Sequence, residues 1–302
     1  MEVRKEMSSN RSGGDSLEGF IFAISAYVIW GFLPIYMKAM SHISPIEIVA
    51  HRIIWSVPIA GIVLIMLGRF KELTLVIRNP RLVLMSIVTA TLISINWGIY
   101  VWAMTSGHAL DAALGYFVNP LFSIFLGAVL LKEHLNRAQL IAILIVVCAV
   151  SFLSWETGNL PWIPLGITLS WGTYAFLKKS LPIGPSQGFF LEVLVLSPIA
   201  FYYVITLEKK GFGHFYDTSY VNPLLLIGTG LATALPMMLY VNGAKLLRLS
   251  TIGILQYLVP TMIFIIAIFI FKEDFGTSKL IVFSMIWFAL IIYSFGVKIS
   301  RV

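Results

Sequence analysis

The feature that most constrains this chain is an internal repeat. Residues of its first half recur 140 positions later, and both copies are strongly apolar. The recurring residues are Pro45 and Pro58 as Pro185 and Pro198, Tyr100 as Tyr240, Pro120 as Pro260, and Lys132 and Glu133 as Lys272 and Glu273. A repeat made of apolar helices is typical of secondary transporters, which place their substrate between the two copies. The repeat therefore predicts where a substrate site lies although no catalytic motif marks one.

The composition indicates an integral membrane protein. Of the 302 residues 59% are hydrophobic and only 12% are charged, about half the charged share of a soluble domain. The net charge of +7 does not indicate nucleic-acid binding, because the basic residues lie between apolar segments and act as topology signals. Cys148 is the only cysteine and the five histidines are scattered, so we expect no disulfide, metal site or cofactor.

The hydropathy pattern predicts an all-α membrane protein with ten transmembrane helices. A bilayer core requires about 20 apolar residues per helix. Ten stretches meet this requirement, at roughly 19–40, 45–67, 81–105, 108–131, 138–155, 162–180, 186–207, 223–246, 250–271 and 277–297. We expect a disordered cytoplasmic tail over 1–18, a first five-helix repeat over 19–155, a linker over 156–164 and a second five-helix repeat over 165–302.

The basic residues predict the orientation. If the N-terminus is cytoplasmic, fifteen Lys and Arg residues fall in cytoplasmic segments and five in outer segments, and Arg52 lies inside a helix. Cytoplasmic loops carry the excess of basic residues, so both termini are predicted to be cytoplasmic. Because each repeat has an odd number of helices, the two repeats are inverted, and the substrate site is expected near the midplane between them.

Two ionisable residues within predicted spans are the strongest candidates for function. Arg52 and Glu192 occupy the same repeat position, 140 residues apart, with opposite charge. Charges inside a membrane span are costly and are functional candidates by default. On the functional interpretation Arg52 binds an anionic group such as a carboxylate, and Glu192 binds an amine or a proton. On the structural interpretation both stabilise packing, as a strained ion pair or by reaching an interface.

Polar and aromatic residues on the facing repeats are further candidates for substrate binding. They are Asn96, Trp97, Tyr100, Tyr116, Tyr240 and Gln256. Hydrogen bonding between helices is the alternative role for the polar ones. The repeat-related Pro120 and Pro260 break backbone hydrogen bonds at matched positions, which suits two gates or, alternatively, static kinks.

Three weaker patterns predict structural contacts. Glu47 and His51 are four residues apart and can pair on one helix face, as a structural contact or, alternatively, as a proton relay. Trp30 and Trp171 belong to a set of tryptophans that suggests an aromatic-walled cavity. Because each is followed by glycine, we expect them instead to mark close packing between the first and sixth spans. The matched Lys-Glu pairs that contain Glu133 and Glu273 predict salt bridges at helix ends.

Several motifs carry a resemblance to a known family. They are the segments 26–31 (AYVIWG), 51–56 (HRIIWS), 96–97 (NW), 114–120 (LGYFVNP), 247–251 (LRLST), 256–257 (QY) and 260–261 (PT). The chain resembles the ten-helix EamA type of the drug/metabolite transporter superfamily, and within it the RarD proteins. The resemblance implies a cell inner-membrane permease that exports a small solute, and it does not specify the substrate.

Together these observations predict a secondary permease working by alternating access. It would export a small metabolite, either amino-acid-like or amphipathic, with phenicol drugs included among the candidates. The chain contains no P-loop, hydrolase elbow or dinucleotide fingerprint, so neither ATP-driven transport nor an enzyme is expected. A membrane sensor or assembly partner that transports nothing is the alternative. Membrane lipid is the expected surrounding, and the sequence leaves proton coupling and homodimer formation open.

Overall fold

The structure, a computed structural model, describes residues 16–132, 135–216, 220–247 and 249–299, and within them it is helical without strands. The helices are α1 Leu17–Lys38, α2 Pro45–Met66, α3 Phe70–Ile77, α4 Pro80–Thr105, α5 Ala109–Leu131, α6 Arg137–Thr157, α7 Trp162–Ser180, α8 Pro185–Lys209, α9 Val221–Leu246, α10 Leu249–Leu255, α11 Leu258–Ile265 and α12 Thr277–Ile299. The predicted tail falls mostly outside these residues, and Glu133 lies outside them.

Eight helices in this part of the chain are long and apolar enough to cross a membrane: α1, α2, α4, α5, α6, α8, α9 and α12. The chain is therefore a multi-pass membrane protein. The other two predicted spans differ from this pattern. The 19-residue α7 carries polar residues such as Thr168, Ser170 and Lys178. The stretch predicted at 250–271 is divided into α10, α11 and a π-helix at Ile266–Ile270.

Local sequence signals explain where several helices begin and end. Proline stands in the first turn of α2, α4 and α8, where its missing N–H is not needed. Lys132 and Lys272 are the two non-glycine residues in the described chain with positive φ, at 56° and 54°. Lys132 ends α5 and Lys272 follows the π-helix, so the repeat seen in the sequence recurs in the backbone conformation at this position.

The pairing of helices follows the same repeat. α1 packs on α9 as α7 packs on α4, α2 packs on α9 as α8 packs on α4, and α1 packs on α11 as α7 packs on α5. The pairs α2–α8, α5–α11 and α6–α12 join helices that are themselves repeat partners. All of these contacts connect one copy to the other, so the two copies interlock and share their interior.

Glycine permits close contacts at several of these helix pairs, as is common between membrane helices. A Cβ atom added to Gly243 of α9 would lie 2.8 Å from the backbone nitrogen of Ala23 in α1. One added to Gly115 of α5 would lie 2.8 Å from the carbonyl oxygen of Pro164, just inside α7. Thr168 donates a hydrogen bond to the Gly115 carbonyl at 2.9 Å across the same contact. These approaches set the spacing of the helices around the interior.

Candidate functional site

A cavity of about 510 Å³ lies between the two copies. Seven of the eight side chains predicted to bind substrate line it: Arg52, Asn96, Trp97, Tyr100, Tyr116, Tyr240 and Gln256. Pro260 also lines it, whereas Glu192 and Pro120 are not among the lining residues. The sequence interpretation missed several lining side chains, which are Tyr27, Asn119, Tyr174, Lys178, Phe189 and Thr233. A cavity of this size accommodates a small organic solute.

One aromatic group in the cavity wall comes from α1 and α9. Tyr27, Trp30 and Tyr240 contact one another, with ring centroids 5.7–6.0 Å apart. Trp30 was expected to mark packing between the first and sixth spans, and this prediction is wrong. Because α1 packs chiefly on α9, the indole contacts Tyr240 and lines the cavity.

A second aromatic group comes from α4, α5 and α7. Tyr100 contacts Tyr116 at 6.1 Å, Tyr116 contacts Trp171 at 6.5 Å, and Trp171 contacts Tyr174 at 5.6 Å. Trp171 therefore also lines the cavity, contrary to its predicted packing role. The tyrosine hydroxyls make this group amphipathic, able to contact a flat apolar body and to form hydrogen bonds.

Arg52 lies on α2 at the cavity with only 4% of its surface exposed. Its Nε donates a hydrogen bond to Thr233 Oγ1 of α9 at 2.6 Å, and its guanidinium carbon lies 4.5 Å from the ring centroid of Trp97. Its Nη1 atom is buried and has no hydrogen-bond partner. No ion pair in the described residues involves this guanidinium. Arg52 is thus a buried cation that pairs with no carboxylate of the described residues.

Glu192 lies on α8 with 1% of its surface exposed. Lys178 Nζ of α7 pairs with its Oε1 at 2.6 Å, and Thr89 of α4 donates to the same oxygen at 2.7 Å. The hydroxyl of Tyr174 donates to Oε2 at 3.1 Å. Both carboxylate oxygens are therefore occupied by the protein, and the charge is balanced by Lys178.

The partners of these two charges differ from the sequence prediction. The strained ion pair between Arg52 and Glu192 is not formed, since each has its own partners. Lys178 is one of the fifteen basic residues predicted to lie in cytoplasmic segments. In the structure it lines the cavity and forms an ion pair with the buried Glu192. Its position seven residues after Trp171 in a predicted span could have suggested this role, because a buried carboxylate requires a cation.

The polar residues of the cavity divide into satisfied and unsatisfied groups. Asn96 Nδ2 donates to Ser170 Oγ at 3.1 Å and to the Ile167 carbonyl at 3.3 Å, and Asn96 Oδ1 accepts from Tyr116 at 3.2 Å. Asn96 therefore joins α4, α5 and α7 in the structural role considered as its alternative. Tyr100 Oη and Asn119 Oδ1, by contrast, are buried without a partner and line the cavity.

The predicted pairing of Glu47 with His51 is wrong. Glu47 accepts hydrogen bonds from the backbone N–H and from Nδ1 of His214, at 2.7 and 2.9 Å. His51 instead stacks on Phe215, with ring centroids 5.0 Å apart. The loop after α8 folds over the start of α2 and supplies both donors, which the sequence spacing does not reveal.

The matched prolines lie in different surroundings. α5 continues through Pro120 without interruption, whereas Pro260 lies just after the break between α10 and α11. Glu273 accepts hydrogen bonds from the backbone N–H groups of Ala109 and Leu110 at 2.7 and 2.9 Å, so it caps α5. It forms no ion pair among the described residues, and the salt bridge predicted for it is wrong. Discontinuous helices at the interface of two repeats are typical of transporters. The gating role of the prolines stays a prediction.

A helical bundle that crosses the membrane many times around an internal cavity is the architecture of a membrane transporter. Residues 17–155 match the EamA-like transporter family. The chain is 34% identical to protein RarD of Escherichia coli (strain K12), over 91% of this chain and 93% of that protein. It is 37% identical to the uncharacterized transporter YojE of Bacillus subtilis (strain 168), over 93% and 95% of the two chains.

The chain therefore belongs to the EamA transporter family and to its RarD group. A solved crystal structure, 14% identical in sequence, matches it with a TM-score of 0.58 over 91% of this chain and 96% of that chain. At this identity the likeness concerns the fold alone, and it agrees with the helical bundle described above.

Proposed function

We propose that this chain is a secondary permease that exports a small metabolite across the inner membrane by alternating access. The observation that carries the proposal is the cavity between the two copies, with aromatic walls and buried charges. Its size and amphipathic lining suit an amino-acid-like or other amphipathic solute. The substrate and the direction of transport are the parts that experiment must decide.

The proposal includes two inverted repeats with both termini in the cytoplasm. The 140-residue offset, the recurrence of positive φ at Lys132 and Lys272, and the symmetric helix pairing support the repeat relationship. Counting α7 and the broken stretch 249–271 as spans makes ten crossings, five in each copy. An odd number of crossings per copy then inverts the second copy relative to the first.

In this topology three carboxylates that contact the other copy, those of Glu47, Glu273 and Asp111, lie at the outer side of the membrane. Glu47 holds His214 of the loop after α8, and Glu273 caps the start of α5. Asp111 of α5 pairs with Lys279 of α12 at 3.3 Å. These links tie the copies together at the outer side, as expected of a state closed to the outside. Transport would require them to open, with Pro120 and Pro260 as flexing points.

We also propose that transport is coupled to protons, with Glu192 as the group that binds the proton. Protonation would remove the charge that Lys178 now balances, and the Lys178 ammonium would then be free to move toward the cavity. A Glu192→Gln variant mimics the protonated form. If that variant retains full pH-dependent transport, Glu192 has no coupling role.

Phenicol drugs are included among the solutes for a specific reason. A relative from Pseudomonas aeruginosa, 27% identical over 91% of this chain, is named chloramphenicol-sensitive protein RarD. A flat aromatic solute is compatible with the two aromatic groups of the cavity wall. We propose phenicols as incidental cargo of a permease for another metabolite.

The test is transport by the purified protein in liposomes, screened against amino acids, organic acids, nucleosides, polyamines and phenicols. Ala175→Trp, at the cavity, should abolish transport by filling it, whereas Leu144→Trp, on the exposed face of α6, should leave transport intact. Equal transport by the two variants would mean that the solute does not pass through this cavity. A protein that neither moves nor binds any screened solute would favour the sensor or assembly role instead.

A further inference from the structure

We propose that the solute is an organic monoanion: a carboxylate with an aromatic or apolar body and no ammonium group. This inference rests on the proposed function and specifies the substrate class of the same cavity. Such a solute differs from an amino acid in one testable property: it lacks the positively charged ammonium group.

The first argument is the charge of the cavity wall. Arg52 and Lys178 line the cavity, and no Asp or Glu is among its lining residues in the described chain. Glu192 lies behind the wall and balances Lys178. Arg52 and Lys178 each contribute one positive charge and Glu192 contributes one negative charge, so the site has a net charge of +1. A bound monoanion neutralises this site, whereas a zwitterion leaves it positive.

Arg52 also has a buried hydrogen-bond donor, Nη1, that lacks a partner. Trp97 covers one face of the guanidinium and Thr233 occupies Nε, but Nη1 has no partner. A buried cation without a counter-charge is unfavourable in an apolar environment. A carboxylate is the group whose two oxygens match the guanidinium donors. The hydroxyl of Tyr100, also buried without a partner at this cavity, can donate to the same anion.

The cavity also offers no free carboxylate, among the described residues, to balance an ammonium group. The only nearby carboxylate, Glu192 among the described residues, already accepts hydrogen bonds from Lys178, Thr89 and Tyr174. Lys178 already balances its charge, so an ammonium group beside it would add an uncompensated positive charge. The other candidate is the aromatic group of Tyr27, Trp30 and Tyr240, since aromatic rings can surround a cation. Their centroids are only 5.7–6.0 Å apart, so the rings fill the space between them.

The remaining polar atom without a partner indicates a second feature of the anion. Asn119 Oδ1 is buried at the cavity without a donor. A neutral hydroxyl or amide N–H on the solute can donate to it and adds no charge. The aromatic walls then contact the body of the molecule. A weak acid of this kind fulfils the requirements of Arg52, Tyr100 and Asn119 together.

The experiment compares solutes that share an aromatic body and differ in charge: an acid, an amino acid and an amine in each series. The benzyl series is 3-phenylpropanoate, phenylalanine and phenethylamine, and the indole series is indole-3-propanoate, tryptophan and tryptamine. Purified protein is tested for thermal shift and for uptake into liposomes. We expect the acids to bind at least roughly tenfold more tightly than the amino acids, because only the acids neutralise the cavity. The amines should not bind.

Arg52→Gln should abolish the shift caused by the acids, and Arg52→Lys, which retains the charge, should recover part of it. Size-exclusion chromatography establishes that each variant is folded. Preference for the amino acids or the amines in either series would overturn the proposal while the permease function stands. Undiminished binding of the acids by folded Arg52→Gln would also overturn it. If no solute of any charge in the broad screen is moved or bound, the proposed function itself fails.

Discussion

Arg52 and Glu192 occupy equivalent positions in the two copies, yet their surroundings differ in one essential respect. Each is buried, and each forms a hydrogen bond with a threonine on a helix of the opposite copy, Thr233 for Arg52 and Thr89 for Glu192. Glu192 also has a protein counter-ion, Lys178, at 2.6 Å. Arg52 has an indole ring and a nitrogen without a partner.

The comparison shows that equivalent backbone positions in the two copies can carry side chains with different chemical roles. Where the protein supplies both charges, the pair is a fixed part of the structure. Where it supplies only one, we propose that a solute entering the cavity supplies the other, since an uncompensated buried ion is costly. We expect substitutions on the Glu192 side to affect stability, and substitutions on the Arg52 side to affect ligand binding.

The largest effect is expected from Lys178→Met. It leaves the Glu192 carboxylate buried without its cation, and removal of one partner of a buried pair costs about 3–5 kcal/mol. The melting temperature of the protein in detergent should fall by roughly 10 °C. The exposed Lys210→Met is the matched control, and adding Glu192→Gln to Lys178→Met should restore most of the loss. If Lys178→Met has the same melting temperature as Lys210→Met, the ion pair between Lys178 and Glu192 does not stabilise the protein.

Arg52→Gln should have the opposite profile. No protein carboxylate loses its partner, and the lost contacts to Thr233 and Trp97 are offset by removal of an uncompensated buried charge. The stability without ligand should therefore stay within about 1 kcal/mol of the parent. The affinity for an anionic solute should fall at least roughly 30-fold, corresponding to about 2 kcal/mol. Thermal melts with and without 3-phenylpropanoate measure both quantities, with the exposed Arg81→Gln as control. A loss of stability comparable to that of Lys178→Met would mean that Arg52 has a structural counter-charge.

The two threonines provide a matched pair of smaller changes. Thr89→Val and Thr233→Val each remove one hydrogen bond to a charged group, an interaction contributing about 1.5–3 kcal/mol. We expect Thr89→Val to lower the melting temperature, and Thr233→Val to weaken anion binding by misplacing the Arg52 guanidinium. Melting and binding are measured on both variants. The contrast between the two charges is refuted if both variants change the same quantity equally.

The smallest effect is expected from Trp97→Leu. The indole contributes a cation–π contact to Arg52 at 4.5 Å, worth about 1 kcal/mol, and its loss should weaken anion binding roughly fivefold. Trp97→Phe should retain much of the affinity because a ring remains. Trp162→Leu, at an exposed indole, is the control for general effects. Stronger binding by Trp97→Leu would indicate that the indole blocks the guanidinium.

Much of the architecture could be predicted from the sequence because the signals are local. Long apolar stretches correspond to helices, and Pro45, Pro80 and Pro185 start helices in the described chain where proline is tolerated. The stretch 250–271 was harder, since its composition is continuous while its backbone is broken at residues 256 and 257. Pro260 alone does not predict that break, because Pro120 lies within the continuous α5.

Side-chain partners were the part that local signals could not supply. In a soluble helix the apolar face points to the core. In a membrane helix lipid and protein interior are both apolar, so the pattern does not reveal which side faces inward. The predicted contacts of Trp30, Trp171 and His51 were wrong for this reason. The partners of Glu47 and Lys178 likewise come from elements that only the fold brings near.

The sequence by itself determined that this is a membrane protein of repeated apolar helices with two charges at matched positions, because hydropathy, proline placement and the 140-residue offset are properties of the chain alone. Only the tertiary structure decided which charge is neutralised. The distance from Lys178 to Glu192 and the unpaired nitrogen of Arg52 depend on how α7, α8, α2 and α9 face one another. That arrangement follows from packing across the whole bundle, and it leaves Arg52 without a carboxylate partner among the described residues.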